Sequence, residues 1–124
     1  MVRLLLGLLC VVHGVPHLVG FFAAWRPSAI PELPHKTTVL SGRVDLGEVG
    51  IRVLGAGWLL LALAFIGAAC LFWFHVPQAT DALLSLAIIS FVFSLVAWPD
   101  SQIGVVVNLI VILLVLAVVR YGWL

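Results

Sequence analysis

The sequence predicts an all-α membrane protein, an antiparallel four-helix transmembrane bundle with a long loop between the first two helices capping one end. Composition is the first reason: of 124 residues, 65% are hydrophobic and 9% charged, whereas soluble domains carry roughly 25% charged residues. The mean hydropathy of +1.31 agrees. The second reason is length, because the four apolar runs 2–24, 46–74, 81–97 and 101–120 each approach the about 20 residues that cross a hydrocarbon core about 30 Å thick. Third, these runs use up most of the chain, so 1–124 reads as a single transmembrane domain.

The same numbers exclude other classes. A formal net charge of +1 with no Lys/Arg cluster lacks the electrostatic footprint of nucleic-acid binding. The expected surroundings are therefore membrane lipids, with a membrane protein partner or a second copy as the alternative neighbour. Cys10 and Cys70 form no C-x-x-C pair, which disfavours thiol–disulfide chemistry. Met1-Val2-Arg3 opens the first run like a signal peptide, but no A-x-A cleavage site follows, so that run is expected to be retained.

The first span runs over 2–24 and ends in Phe21, Phe22 and Trp25, aromatics suited to the headgroup level. Gly14 and Pro16 predict a kink near 12–16, because proline removes one backbone donor and membrane neighbours tolerate the break. The connection from Arg26 to about Val44 holds Pro27, Pro31, Pro34 and the Gly42 turn signal. It exceeds the usual median of about 4 to 6 residues, which predicts a folded cap with little regular structure.

Asp45 followed by Glu48 reads as a capping box, starting the second span near Leu46, and Glu48 and Arg52 stand at i, i+4 as an ion pair. Gly55, Gly57, Ala64, Gly67 and Ala68 give this span a small-residue surface, making it the packing centre. Thr80 or Asp81 would cap the third span, whose polar positions are Ser85, Ser90 and Ser94. Asp100 would cap the fourth, in which Asn108 is the strongly polar residue. Phe72-Trp73-Phe74, Tyr121 and Trp123 read as the aromatic belt of the opposite face. An even number of spans puts both termini on one side. Arg26, Lys36, Arg43 and Arg52 favour a cytoplasmic long loop, and Arg3 favours the reverse, so the orientation stays open.

Candidate chemistry centres on His13 and His17, four residues apart and therefore on one helix face. Counted inward from the long-loop end, His17, Ser90 and Asn108 all fall about 10 to 12 Å below that face, with His13 one turn deeper. Three spans placing polar groups at one depth point to a shared polar pocket of His13, His17, Asn108 and Ser90. The plainer alternative is interhelical hydrogen bonding without further role. Glu32, His35, Glu48, Arg52 and Asp100 would form the pocket rim, or simply a solvated edge. His13 and His17 are candidate metal ligands, weak ones without a third, which His35 or Glu32 could supply by folding inward. No cofactor and no catalytic residue can be named from the sequence. The functions it leaves are a pocket for a lipophilic ligand, quinone or metal, an accessory subunit of a larger membrane complex, and a small transporter. The last is set back because the first span has no carboxylate of the kind small multidrug exporters use.

The segments Val12-His13-Gly14-Val15-Pro16-His17-Leu18-Val19-Gly20-Phe21, Glu32-Leu33-Pro34 and Ser94 through Asp100 to Gly104 and Asn108 resemble a family of small bacterial four-span membrane proteins of unknown function. That family carries His-Gly-x-x-His-Leu-x-Gly-Phe in its first helix, and Trp-x-Asp-x-x-x-Gly followed by an Asn at its fourth. Pro16 stands where the family more often has an aliphatic residue, which implies a sharper bend here. In size and span number the chain is also similar to the DoxX-like group. The resemblance implies the four-span architecture, a bacterial inner-membrane location and weight on the quoted positions, and it implies no activity.

Overall fold

The computed structural model describes residues 1–25 and 35–124. Among them, four helical segments are long and apolar enough to cross a membrane, namely Val2–Trp25, Gly47–Trp73, Ala79–Val96 and Gln102–Tyr121. The first segment is broken into α1 (Val2–Gly14) and α2 (His17–Trp25). Pro16 has no N–H to give, and the chain tightens there: Leu18 and Val19 donate to the carbonyls of Val15 and Pro16, three residues back. The bend lies where Gly14 and Pro16 predict it.

The long helix α3 (Gly47–Trp73) is the packing centre, flanked by α1, α2 and α4 (Ala79–Val96), while α5 (Gln102–Tyr121) lies on α4. Small residues permit the close approach. A Cβ on Gly14 would stand 2.9 Å from the Phe65 Cβ, and one on Gly20 would stand 2.6 Å from the Trp58 ring. At one end the start of α1, the end of α3, the start of α4 and the end of α5 share a core of Leu6, Cys10, Phe65, Phe72, Leu83, Ala87, Val111 and Val115. That sharing is what an antiparallel bundle requires. Phe72, expected in the aromatic belt, is fully buried in this core, because it faces α4 rather than lipid; Phe74 and Tyr121 are exposed.

The other end carries a short hairpin instead of the irregular cap expected. Strands β1 (Thr38–Val39) and β2 (Val44–Asp45) pair antiparallel, and the turn between them holds Leu40, Ser41 and Gly42 at positive φ. The turn is tied to the end of α4, since Leu40 N–H donates to Val96 O at 2.8 Å and Ser41 N–H to Trp98 O at 2.9 Å. Two-residue strands are too short to show an alternating pattern. Residues 26–34, the rest of the expected cap, lie outside the described residues.

Three predicted caps are not formed. Asp45 Oδ1 accepts the Gly47 N–H at 2.9 Å, but Leu46 is the N-cap of α3 without a side-chain bond, because Glu48 reaches across to His35 instead of back to the helix start. Helix α4 begins at Ala79, ahead of Thr80 and Asp81, with Gln78 as N-cap. Ser101 is the N-cap of α5, and the Asp100 carboxylate is held by Lys36 Nζ, 2.9 Å from both oxygens. The expected Glu48–Arg52 ion pair is replaced as well. The Arg52 guanidinium lies 5.9 Å over the Trp25 ring, whose Nε1–H donates to the Arg52 carbonyl at 3.0 Å.

Candidate functional site

Between the two ends, five polar side chains are buried in one layer: His13, His17, Ser90, Ser94 and Asn108. The bend creates part of this layer directly. Because the helix is interrupted at Val15 and Pro16, the His13 carbonyl is free to accept a side chain, and His17 Nδ1–H donates to it at 2.9 Å. A carbonyl only accepts, so the proton of a neutral His17 sits on Nδ1 and its Nε2 is a lone pair. Ser90 Oγ–H supplies that lone pair with a donor at 2.6 Å.

Asn108 fixes the second histidine by the same logic. Its Nδ2 donates to the Gly104 carbonyl at 2.8 Å, and more weakly to Ser94 Oγ at 3.4 Å. The amide cannot be turned over, since that would set two carbonyl oxygens against each other. Oδ1 therefore faces His13 Nε2 at 2.9 Å and accepts its proton. The two neutral imidazoles thus hold opposite tautomers, Nε2–H in His13 and Nδ1–H in His17. Their rings meet edge to face with centroids 5.1 Å apart, and both lie against Phe65. No buried side-chain nitrogen or oxygen among the described residues is left without a partner.

Above this layer lies a cavity of about 990 Å³. His13, His17 and Asn108 line its deep end, and Lys36, Asp100, Ser41 and Gly42 its mouth. Apolar wall comes from Val19, Gly20 and Ala23 of α2, Leu54 and Trp58 of α3, and Ile103 and Val107 of α5. Asn108 is seven positions beyond Ser101, so the floor sits roughly 10 Å below the start of α5. The volume suits a small organic molecule.

Of the sequence-predicted pocket residues, His13, His17 and Asn108 line the cavity, while Ser90 stands behind His17, sealed from it. Of the predicted rim, Asp100 lines the mouth. His35 and Glu48 stand beside the cavity, bonded to each other at 3.1 Å, with His35 Nδ1–H also donating to Ala23 O at 3.2 Å. Both partners of His35 are acceptors, so the two bonds coexist only when its ring carries both protons. Arg52 is exposed over Trp25, and Glu32 lies outside the described residues. The pair His13/His17 offers one free ring nitrogen rather than two, since only His13 Nδ1 is unclaimed. Among the described residues no group of three or more His, Cys, Asp or Glu could hold a metal ion.

Sequence reasoning did not single out Trp58, Lys36 or Ser101 for the pocket, all of which line the cavity, and it reached Trp98 only through the resemblance. Ser94 was legible, standing one turn after Ser90 on the same face. The Lys36–Asp100 pair closes over 64 positions of sequence, and local pattern holds no signal for it. No family model matches the chain, and neither a curated protein nor a solved structure matches it.

Proposed function

We propose that this multi-pass membrane protein binds a lipophilic ligand in the cavity, with the ligand's polar end on the His13–Asn108 floor. The observation that carries the reading is the floor itself: an apolar-walled cavity of about 990 Å³ that ends on buried, hydrogen-bonded imidazoles. Ionisable groups at this depth are costly and usually serve an interior site. Proton conduction fits the geometry less well, because the group that meets the His13 proton is the Asn108 amide, which does not take up a proton to pass on. Metal binding is served less well too, with one free nitrogen.

The runner-up is an accessory subunit, which needs its small-residue face turned toward a partner. Here Gly55, Gly57 and Ala68 of α3 are used inside the bundle, against Ala24, Phe93 and the core, whereas Gly67 is exposed and faces open space. The even number of spans supports both termini lying on one side of the membrane. Native mass spectrometry of protein released from its own membrane tests the proposal. A lipophilic small molecule bound to wild type and lost in Val107→Trp, which fills the cavity, is the expected result. A protein partner in fixed ratio, with the cavity variant indistinguishable from wild type, would favour the subunit reading.

A further inference from the structure

We infer that the polar end of the ligand is a hydroxyl, alcoholic or phenolic, that donates a hydrogen bond to His13 Nδ1. The inference rests on the cavity reading above and adds the chemical class of the ligand. Its basis is a census of what the floor has left to offer. The His13 Nε2–H is spent on Asn108 Oδ1, and the His17 Nδ1–H on the His13 carbonyl. The His17 Nε2 lone pair is spent on Ser90, and the Asn108 Nδ2 protons on Gly104 O and Ser94 Oγ. What remains is the lone pair of His13 Nδ1, which takes no partner among the described residues, and the hydroxyl proton of Ser94, which also lines the cavity and whose Oγ accepts from Asn108. His13 is 92% buried, being 8% exposed, yet no sealed nitrogen lacks a partner. Nδ1 therefore opens onto the cavity that His13 lines.

The tautomer that presents this lone pair is held by backbone. Moving the proton to Nδ1 would leave Nε2 and Asn108 Oδ1, 2.9 Å apart, as two facing acceptors. Turning the amide to relieve them would set its oxygen 2.8 Å from the Gly104 carbonyl. Locked in this way, the two imidazoles accept one hydrogen bond from the cavity and donate none, and the remaining donor is the Ser94 hydroxyl. A quinone, ketone or ester offers only acceptors and leaves the His13 lone pair unmet, whereas a quinol, alkylphenol or long-chain alcohol donates to it and can accept from the Ser94 hydroxyl. A site built to pair one polar group discriminates against the analogue that lacks it.

The test uses 4-nonylphenol, its methyl ether 4-nonylanisole, and 4-nonylacetophenone, in which a carbonyl acceptor replaces the hydroxyl. Binding to wild-type protein in lipid nanodiscs is followed by native mass spectrometry. The phenol should bind about tenfold tighter than either analogue, the worth of one hydrogen bond that would otherwise stay unmade. His13→Phe should level the three affinities, and Val107→Trp should remove them all. The comparison of the three probes on wild type stands by itself if His13→Phe does not assemble. Equal binding of all three probes, each blocked by Val107→Trp, would overturn the hydroxyl inference while leaving the cavity reading in place. Tighter binding of the ketone would overturn it in favour of a donating floor. Binding of none, with the native protein also empty, would end the cavity reading itself.

Discussion

The two ends of this bundle are built from nearly the same residue types and packed to opposite purposes. Away from the hairpin, Phe65, Phe72, Leu83, Ala87, Val111 and Val115 pack into one buried core, each at most 2% exposed. Toward the hairpin, the same four spans surround about 990 Å³ of open space. The layer of His13, His17, Ser90, Ser94 and Asn108 marks the boundary. Since lipid gives no hydrophobic drive for helix association, packing and interhelical hydrogen bonds hold the helices together. The filled end therefore supplies the assembly, and the polar layer allows the other end to stay open.

The largest effect should come from breaking the filled end where it meets the polar layer. Phe65→Ala removes the ring against which both imidazoles lie. At about 24 cal/mol per Å³ over the roughly 100 Å³ vacated, unfolding in mixed micelles should be easier by about 2 to 3 kcal/mol. The contrast between the ends is next tested by adding volume. Ala87→Leu, in the sealed core, should cost about 1 to 3 kcal/mol through overpacking. Ala23→Leu, whose side faces the cavity, should leave stability within about 0.5 kcal/mol of wild type, as substitutions away from packed sites do. Equal costs at the two positions would mean that the ends are packed alike.

Ser90→Ala sharpens the role of the boundary. It leaves the His17 Nε2 lone pair without its donor and should cost about 1 kcal/mol, measured by the same unfolding titration, while ligand binding persists because Ser90 does not line the cavity. The smallest effect belongs to the hairpin junction. The Gly47 N–H bond, followed by the Thr37 side chain, holds the Asp45 carboxyl below its ordinary value of 3.8. A depressed folded-state value means that the contribution is complete above the ordinary value and is lost as pH falls through the lower one. Amide exchange at Gly47 should accelerate locally in that acid range, and Asp45→Asn should remove the pH dependence.

Much of this contrast was written in the sequence. Hydropathy located the four spans to within about two residues, and Gly14 with Pro16 located the bend. Counting turns brought His17, Ser90 and Asn108 to one depth, but depth does not determine azimuth. The pairing is crossed: His13, the deeper histidine, meets Asn108, and His17 meets Ser90. The caps misled for a physical reason, since Asp100 and Glu48 are engaged by Lys36 and His35, partners distant in sequence that a local capping pattern does not reveal. The cavity was illegible, because space is a property of how helices splay and no residue type encodes it. Trp58 illustrates this: it looked like any aromatic in an apolar helix, and it forms the wall beside His17.

The central claim is that a backbone-locked hydrogen-bond layer divides the bundle and turns one lone pair toward the cavity. It is tested most directly by ¹⁵N solid-state NMR of histidine-labelled protein in bilayers, carrying His35→Gln and His75→Gln so that only His13 and His17 report. The predicted spectrum at neutral pH contains two neutral imidazoles of opposite tautomers, His13 protonated on Nε2 and His17 on Nδ1. Two rings of the same tautomer, or a doubly protonated ring at either position, would contradict it.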